Sequence, residues 1–292
     1  MQVDLSVVSE PPAQEWGDYW TEKKTDIVVD YAKAYLSIMK ERKYWKLLYF
    51  DGFAGEVPSE ENIGNNENMH LSAAIRILNI ESPRPFDIYY FVELNPKKAE
   101  SLENHLKKYY PKKSAFVSQD DCNKKLIDLS KYLKYEDGKN AKVLAFVDPF
   151  GMQVKWESIE ALRDLSIDLW ILVPTGIGVN RLLKRDGNIS EAWMKKLTTF
   201  LGMKESEIRN HFYKVKSENT LFGTETQTVK ESDVIHKAGE LYKDRLKTVF
   251  KLVSNPFVIE NSTGSVMFHF FMASNNATAF KIANDIIKLK GK

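Results

Sequence analysis

A rhythm of short apolar runs, each stopped by a polar or turn residue, constrains this chain more than any other feature. The runs are Leu47–Asp51, Ile88–Glu93, Ala115–Gln119, Val143–Asp148 and Asp168–Pro174. After the first gap their starts fall roughly 25–28 residues apart, the length of one strand, one helix and two loops. The runs alternate little between apolar and polar positions. That predicts strands buried on both faces, and so a parallel sheet covered by helices.

The intervening segments carry helical periodicity. His70–Asn79 puts Leu71, Ala74, Ile75 and Leu78 on one stripe. Pro96–Tyr109 follows Asn95, an N-cap residue ahead of a proline at the first helical position. Asn123–Leu133 and Trp156–Leu165 share the amphipathic spacing, and upstream Asp26–Glu41 places Ile27, Tyr31, Tyr35 and Ile38 on one face. After Pro174 the rhythm breaks, and Gly176 to Val253 reads as mostly helical and strongly charged. Phe257–Glu260 and Val266–Ala273, joined by Asn261-Ser262-Thr263-Gly264, then predict a hairpin, with a last helix over Ala277–Leu289. The expected organisation is an N-terminal helical segment (1–45) and an α/β body made of 46–177 and 254–292. Between them a helical insertion, 178–253, is the candidate substrate-recognition subdomain.

Composition bounds the function. A hydrophobic share of 43% supports a core, and 42 basic against 40 acidic residues leave a net charge of +2. That excludes a strongly basic coat protein but not local basic patches. The single cysteine, Cys122, excludes an internal disulfide and a cysteine-based zinc site. The five histidines lack metal-ligand spacing, so no metal is expected. The first fifteen residues lack the basic-then-apolar order of a signal peptide, and no apolar run approaches the roughly 18–20 residues of a membrane span. The expectation is a soluble, cytoplasmic protein that does not engage a membrane.

In an open parallel sheet, ligands bind beyond the carboxyl ends of the strands. The first run ends in Asp51-Gly52-Phe53-Ala54-Gly55, whose glycines allow a tight turn and close approach to a ligand. The dinucleotide pattern G-x-G-x-x-G is missing, which argues against a nicotinamide cofactor. Glu93, at the end of the second run, can accept hydrogen bonds from vicinal ribose hydroxyls. The third run ends in Asp120-Asp121, of which one suits an N-cap and one a ligand, with Asp120 favoured for the ligand. The fourth ends in Asp148-Pro149-Phe150-Gly151. In the insertion, Arg181 suits a phosphate or carboxylate. Trp193, with Lys184, Arg185, Lys195 and Lys196, suits base stacking with phosphate contacts; the alternative is a solvated helix face.

A parallel sheet closed by an antiparallel hairpin strand is similar to the class I methyltransferases. Asp51-Gly52-Phe53-Ala54-Gly55 resembles the D-P-F-x-G motif of S-adenosyl-L-methionine (SAM) enzymes that methylate amino groups, although Glu56-Val57 replace its last small residues. Asp148-Pro149-Phe150 resembles their [D/N]-P-P-[Y/F] motif, with Phe150 in place of the second proline and Gly151 in place of the aromatic. The likeness implies an α/β Rossmann-like class I methyltransferase fold, with a mostly parallel seven-stranded sheet, a C-terminal antiparallel hairpin strand and a helical insertion. It implies SAM as cofactor. Asp51, Gly52, Phe53, Ala54 and Gly55 would lie at its methionine end, Glu93 at its ribose, and Asp120 or Asp121 at its adenine. Asp148, Pro149 and Phe150 would present the acceptor amine, with a nucleic-acid base as the leading substrate.

Tyr49–Gly55, Phe91–Pro96, Phe146–Met152 running on to Trp156, Asp168–Pro174, Gly178–Leu183 and Phe271–Asn275 together resemble the three-Cys-motif partner family (TcmP) of bacterial and phage-associated proteins. That likeness implies a partner protein bearing three cysteines. Two alternatives stay open: a non-catalytic SAM-binding subunit of such a partner, and a methyltransferase acting on a protein or small molecule.

Overall fold

The computed structural model describes residues 18–55, 72–135, 138–220 and 223–291. Helix α1 (Asp18–Met39) leads into β1 (Lys46–Asp51), and α2 (Ala73–Leu78) precedes β2 (Ile88–Val92). Three further units follow: α3 (Pro96–Tyr109) with β3 (Ala115–Ser118), α4 (Cys122–Lys134) with β4 (Ala141–Val147), and α5 (Trp156–Glu160) with β5 (Ile167–Val173). A turn of π-helix, Thr175–Asn180, opens the insertion, which comprises α6 (Glu191–Leu201), α7 (Glu205–Phe212), the strands β6 (Tyr213–Thr220) and β7 (Gly223–Lys230), and α8 (Val234–Lys247). Then come β8 (Leu252–Val253), β9 (Phe257–Glu260), β10 (Val266–Ser274) and α9 (Ala277–Lys290).

The main sheet has eight strands in the order β3-β2-β1-β4-β5-β10-β8, with β9 also paired to β10. The first five are mutually parallel, and β10 runs antiparallel to β5, β8 and β9. This is a Rossmann-like, mostly parallel sheet with an antiparallel end, the architecture that the resemblance to class I methyltransferases implies. Two short strands along β10 stand where a seventh strand was expected. The edge is interrupted at Ser254-Asn255-Pro256, where proline offers no N–H to the ladder. Ser254 bridges the interruption: its N–H donates to the Met272 carbonyl at 2.8 Å, and its hydroxyl accepts from the Met272 N–H at 2.9 Å.

Alternate residues of the central strands face two cores. Leu48 and Phe50 of β1 join Val143, Ala145 and Ile171 on one side. Leu47 and Tyr49 join Leu144, Phe146 and Trp170 on the other. The first core takes buried residues from α4 to α8 and the second from α1, α2, α3 and α9, so helices cover both faces. This explains the weak alternation in the sequence, because both sets of side chains are buried. Leu197, Ile208 and Tyr242 of the insertion belong to the first core.

Beyond the sheet edge, and besides the helix expected over Trp156–Leu165 ending at Glu160, the structure departs from the sequence reading in three places. The insertion is not all helical. β6 and β7 pair antiparallel from Tyr213↔Lys230 to Thr220↔Gly223. Their sequences, YKVKSENT and GTETQTVK, offer no apolar face, and Val215 is exposed, so no hydrophobic period marks them. Helix α1 begins earlier than Asp26, and Ile38 is exposed on it. Val28, Ala32, Leu36 and Met39 complete its buried stripe instead. The helix expected over His70–Asn79 is described for Ala73–Leu78, with Ser72 as its N-cap, while His70 and Leu71 lie outside the described residues.

Glycine geometry makes a test of the packing. Gly202 ends α6 at φ +63°, and a Cβ there would lie 2.1 Å from Trp156 Cδ1. Gly264 has φ +76° with open space around it. Both alanine variants incur the left-handed backbone cost of roughly 1–2 kcal/mol, and Gly202→Ala adds an overpacking cost of about 1–3 kcal/mol. Urea unfolding should therefore rank Gly202→Ala as clearly less stable than Gly264→Ala.

Candidate functional site

The strand order brings Asp51, Glu93, Asp120 and Asp148 to the carboxyl edge of the sheet, at the ends of β1, β2, β3 and β4. Backbone hydrogen bonds tie the ends together. The Gly52 N–H donates to Phe146 O at 2.8 Å, Ala54 N–H to Val92 O at 3.0 Å, and Glu93 N–H to Ser118 O at 3.1 Å.

Asp51 is buried and organises the first loop. Its Oδ1 accepts from the Phe53 N–H at 3.1 Å and its Oδ2 from the Tyr49 hydroxyl at 3.2 Å. Burial pushes its carboxyl up to about 7, with the charges of Asp148 and Glu93 adding to the rise. Glu93 holds the far end of the loop: Oε2 accepts from the Gly55 N–H at 3.0 Å and Oε1 from the Asn95 N–H at 2.7 Å. Gly55 takes φ +72°, a conformation that suits glycine. Each Glu93 oxygen keeps a further lone pair, so the carboxylate can still accept from a ligand.

The two acids after β3 divide their roles. Asp121 is the N-cap of α4, its Oδ1 accepting from the Asn123 N–H at 2.6 Å. Asp120 Oδ2 pairs with Lys124 at 2.7 Å and Lys125 at 3.2 Å, which hold its carboxyl down at about 2. Asp120 is thus a fixed anion at the rim.

Asp148 ends β4 beside a partner that sequence reasoning did not find. Its Oδ2 lies 2.5 Å from Lys24 Nζ on α1, both side chains being largely buried. Its Oδ1 is buried with no hydrogen-bond partner among the described residues. A buried acceptor left open is costly in a finished structure and useful where a donor arrives with a ligand. Pro149 is buried and Phe150 is 69% exposed, so the ring is available at the surface. Glu56 and Val57 lie outside the described residues.

Cys122 also takes on a part the sequence did not signal. It is buried under the first loop, and a Cβ on Gly52 would stand 2.6 Å from its Sγ. Gly52 is therefore required by close approach rather than by φ. Burial raises the Cys122 thiol well above its ordinary range, which keeps it protonated. Neither partner could have been read from local patterns, because each contact joins segments far apart in the chain.

The substrate candidates separate. Arg181 is exposed just beyond the π-turn after β5. Trp193 packs partly against the core, and Lys184 Nζ lies 5.3 Å from its ring centroid, so its indole already has a cation as neighbour. Lys230 of β7 donates to Asn180 O, Asn180 Oδ1 and Leu183 O at 2.6–2.8 Å, anchoring the hairpin to the start of the insertion. His269 is a partnered core histidine, its Nδ1 2.8 Å from Thr175 Oγ1, and burial pushes it down to about 4.

No protein-family model and no curated protein sequence matches the chain. Solved structures do. Trm1 from Pyrococcus horikoshii, in complex with S-adenosyl-L-methionine, is 13% identical over 88% of this chain and 64% of its own, with a TM-score of 0.35. An S-adenosylmethionine-dependent methyltransferase from Clostridium acetobutylicum is 10% identical over 88% and 92%, with a TM-score of 0.34. A spermidine synthase bound to the transition-state analogue AdoDATO is 10% identical over 91% and 62%, with a TM-score of 0.35. At such identities and scores, what the site does rests on its own geometry. Among the described residues no helix is long and apolar enough to cross a membrane.

The buried carboxyl of Asp51 makes stability depend on pH. Folded Asp51 keeps its proton up to about 7, whereas the unfolded chain releases it near the ordinary 3.8. The native state therefore binds more protons in that window, and this residue lowers stability as pH rises through it. In denaturant titrations, the stability of Asp51→Asn relative to wild type should rise between pH 4 and 8 by several kcal/mol, on the order of 4. A difference that stays flat across that range would show that Asp51 is ionised throughout.

Proposed function

We propose that this chain is a SAM-dependent methyltransferase that acts on an amino group of a nucleic-acid base. The observation that carries the reading is the carboxyl edge itself. Four carboxylates from four adjacent strands meet there, and one of them, Asp148, keeps a buried oxygen without a partner. SAM supplies an electrophilic methyl group on a sulfonium. The residues fit it: Gly52 to Gly55 form a loop whose backbone can come close to a ligand, and Glu93 offers lone pairs to ribose hydroxyls.

The chain's own part is to bind and to aim. Asp51 holds the loop through Phe53 N–H, and Glu93 holds it through Gly55 N–H. Lys24 fixes one oxygen of Asp148, leaving Oδ1 to accept a proton donor from the acceptor amine. The Pro149 carbonyl is the second acceptor that the motif implies. Together they would turn the nitrogen lone pair towards the methyl carbon, and orientation of this kind contributes up to roughly 7–11 kcal/mol of barrier lowering. Phe150 supplies an exposed ring beside the acceptor position. Asp120 is the rim anion nearest the adenine end in this reading, and Arg181, exposed at the start of the insertion, would contact the substrate.

The motif likenesses also support membership of the three-Cys-motif partner family and action with a protein bearing three cysteines. The changes at Glu56 and Gly151 favour a second reading, in which the chain binds SAM for that partner without transferring the methyl group.

Calorimetry with SAM and S-adenosylhomocysteine is the first test. Wild type should bind both, and Glu93→Ala should weaken binding by about 10- to 100-fold, as expected for lost hydrogen bonds to a charged acceptor. Failure of wild type to bind either ligand removes both readings. With labelled SAM and total RNA or DNA, Asp148→Asn should cut transfer by about 100-fold while leaving SAM affinity nearly unchanged. SAM binding with no transfer to nucleic acid, even with the partner present, favours the binding subunit.

A further inference from the structure

A cleft of about 750 Å³ opens at the opposite, amino edge of the sheet. Its floor is Asp168, near the start of β5, and one wall is the first turn of α9 from Asn276 to Ala279. Arg42 and Tyr44, from the turn between α1 and β1, stand with Lys142 of β4 and Lys251 among its lining residues. Nothing in the methyl-transfer reading uses it.

Four observations make this a site rather than a surface hollow. The turn is held rigidly, because Arg84 donates to Met39 O, Arg42 O and Trp45 O at 3.0–3.3 Å and to Asp87 at 2.7 Å. Tyr44 is 68% exposed on that fixed turn, with its ring 5.0 Å from that of Trp45. Tyr35, from α1, also lines the cleft, and its hydroxyl is buried with no partner among the described residues. Lys142 Nζ lies 4.2 Å from the Trp45 ring centroid and bonds Ser166 Oγ at 2.9 Å. Burial holds the Lys142 ammonium below its ordinary range, Asp168 opposing the fall and Arg42 adding to it, a cost that an incoming anion would relieve.

Of the acids in the cleft, Asp168 acts on Lys142 but has no oxygen left to pair with it directly. Both oxygens of Asp168 are already engaged, accepting from Tyr31 at 2.8 Å and Ser274 at 2.5 Å, and burial raises its carboxyl. Asp164, the other acid, lies on the exposed surface. The helix start on the remaining wall further favours negative charge.

We propose that the cleft is a second ligand site for a nucleoside phosphate, with the base stacked on Tyr44 and the phosphate held by Arg42 and Lys142. A flat ring beside two cations fits that chemistry, since stacking tolerates any base while the cations hold the phosphate. The phosphate can come from a free nucleotide or from a single nucleic-acid strand.

The test is calorimetric titration of the full chain with uridine 5′-monophosphate and, separately, with an oligouridylate. Uridine avoids the adenine end of the proposed SAM site. Binding of the mononucleotide identifies a free nucleotide, and binding of the oligomer alone identifies a strand. In either case Tyr44→Ala and Lys142→Glu should each weaken binding by about tenfold or more, and Glu93→Ala, at the opposite edge, should not. Thermal unfolding of the variants confirms that they fold, as both side chains sit at the rim. Absence of binding by both ligands overturns the proposal. So does binding that survives Tyr44→Ala and Lys142→Glu unchanged, which would place the ligand elsewhere.

Discussion

The central position of β1 governs the rest of the molecule. It pairs with β2 on one side and β4 on the other, and helices cover both faces of the sheet, so from Leu47 onward its side chains have no route to water. Leu47 to Phe50 are accordingly apolar or aromatic and buried. At Asp51 the strand ends, yet the residue is still enclosed, and a carboxyl in that position must be given donors or stay protonated. Phe53 N–H and the Tyr49 hydroxyl supply the donors, and in doing so they bend the chain into the loop that forms the carboxyl edge. The geometry of that edge follows from one buried carboxyl at the end of one buried strand.

Charge is divided across the sheet. The carboxyl edge gathers Asp51, Glu93, Asp120 and Asp148, tempered by Lys24, Lys124 and Lys125. The amino edge gathers Arg42, Lys142 and Lys251 around a cleft whose buried acid is already bonded. A net charge of +2, the balance over the whole chain, does not show where these groups gather. A ligand meets the charges of one edge and not the total.

How much could be read in advance depended on how local the determining interaction is. Pro96–Tyr109 was legible to the residue because Asn95 and Pro96 fix its start through their own backbone chemistry. The strands were legible because burial on both faces leaves a continuous apolar run. The β6–β7 ribbon was not, since its strands carry no apolar face and owe their pairing to the hairpin itself and to Lys230. The division between Asp120 and Asp121 was also open in sequence, and the start of α4 decided it by drawing Asp121 into the cap. Trp193 and Lys184, nine residues apart, are neighbours in space, a pairing that only the fold of the insertion sets.

The sequence by itself determined the parallel sheet, its hairpin end and the row of acids at the strand ends. Period, turn residues and strand-end chemistry are properties of neighbouring positions, and the chain carries them wherever it folds. Only the tertiary structure decided which atoms remain free to act. It set Lys24 against Asp148 while leaving one carboxylate oxygen open, slid Cys122 beneath Gly52, and opened the cleft beside Tyr44. Each of these joins segments distant in the chain, and contacts of that kind leave no periodic trace because packing, not local preference, selects them.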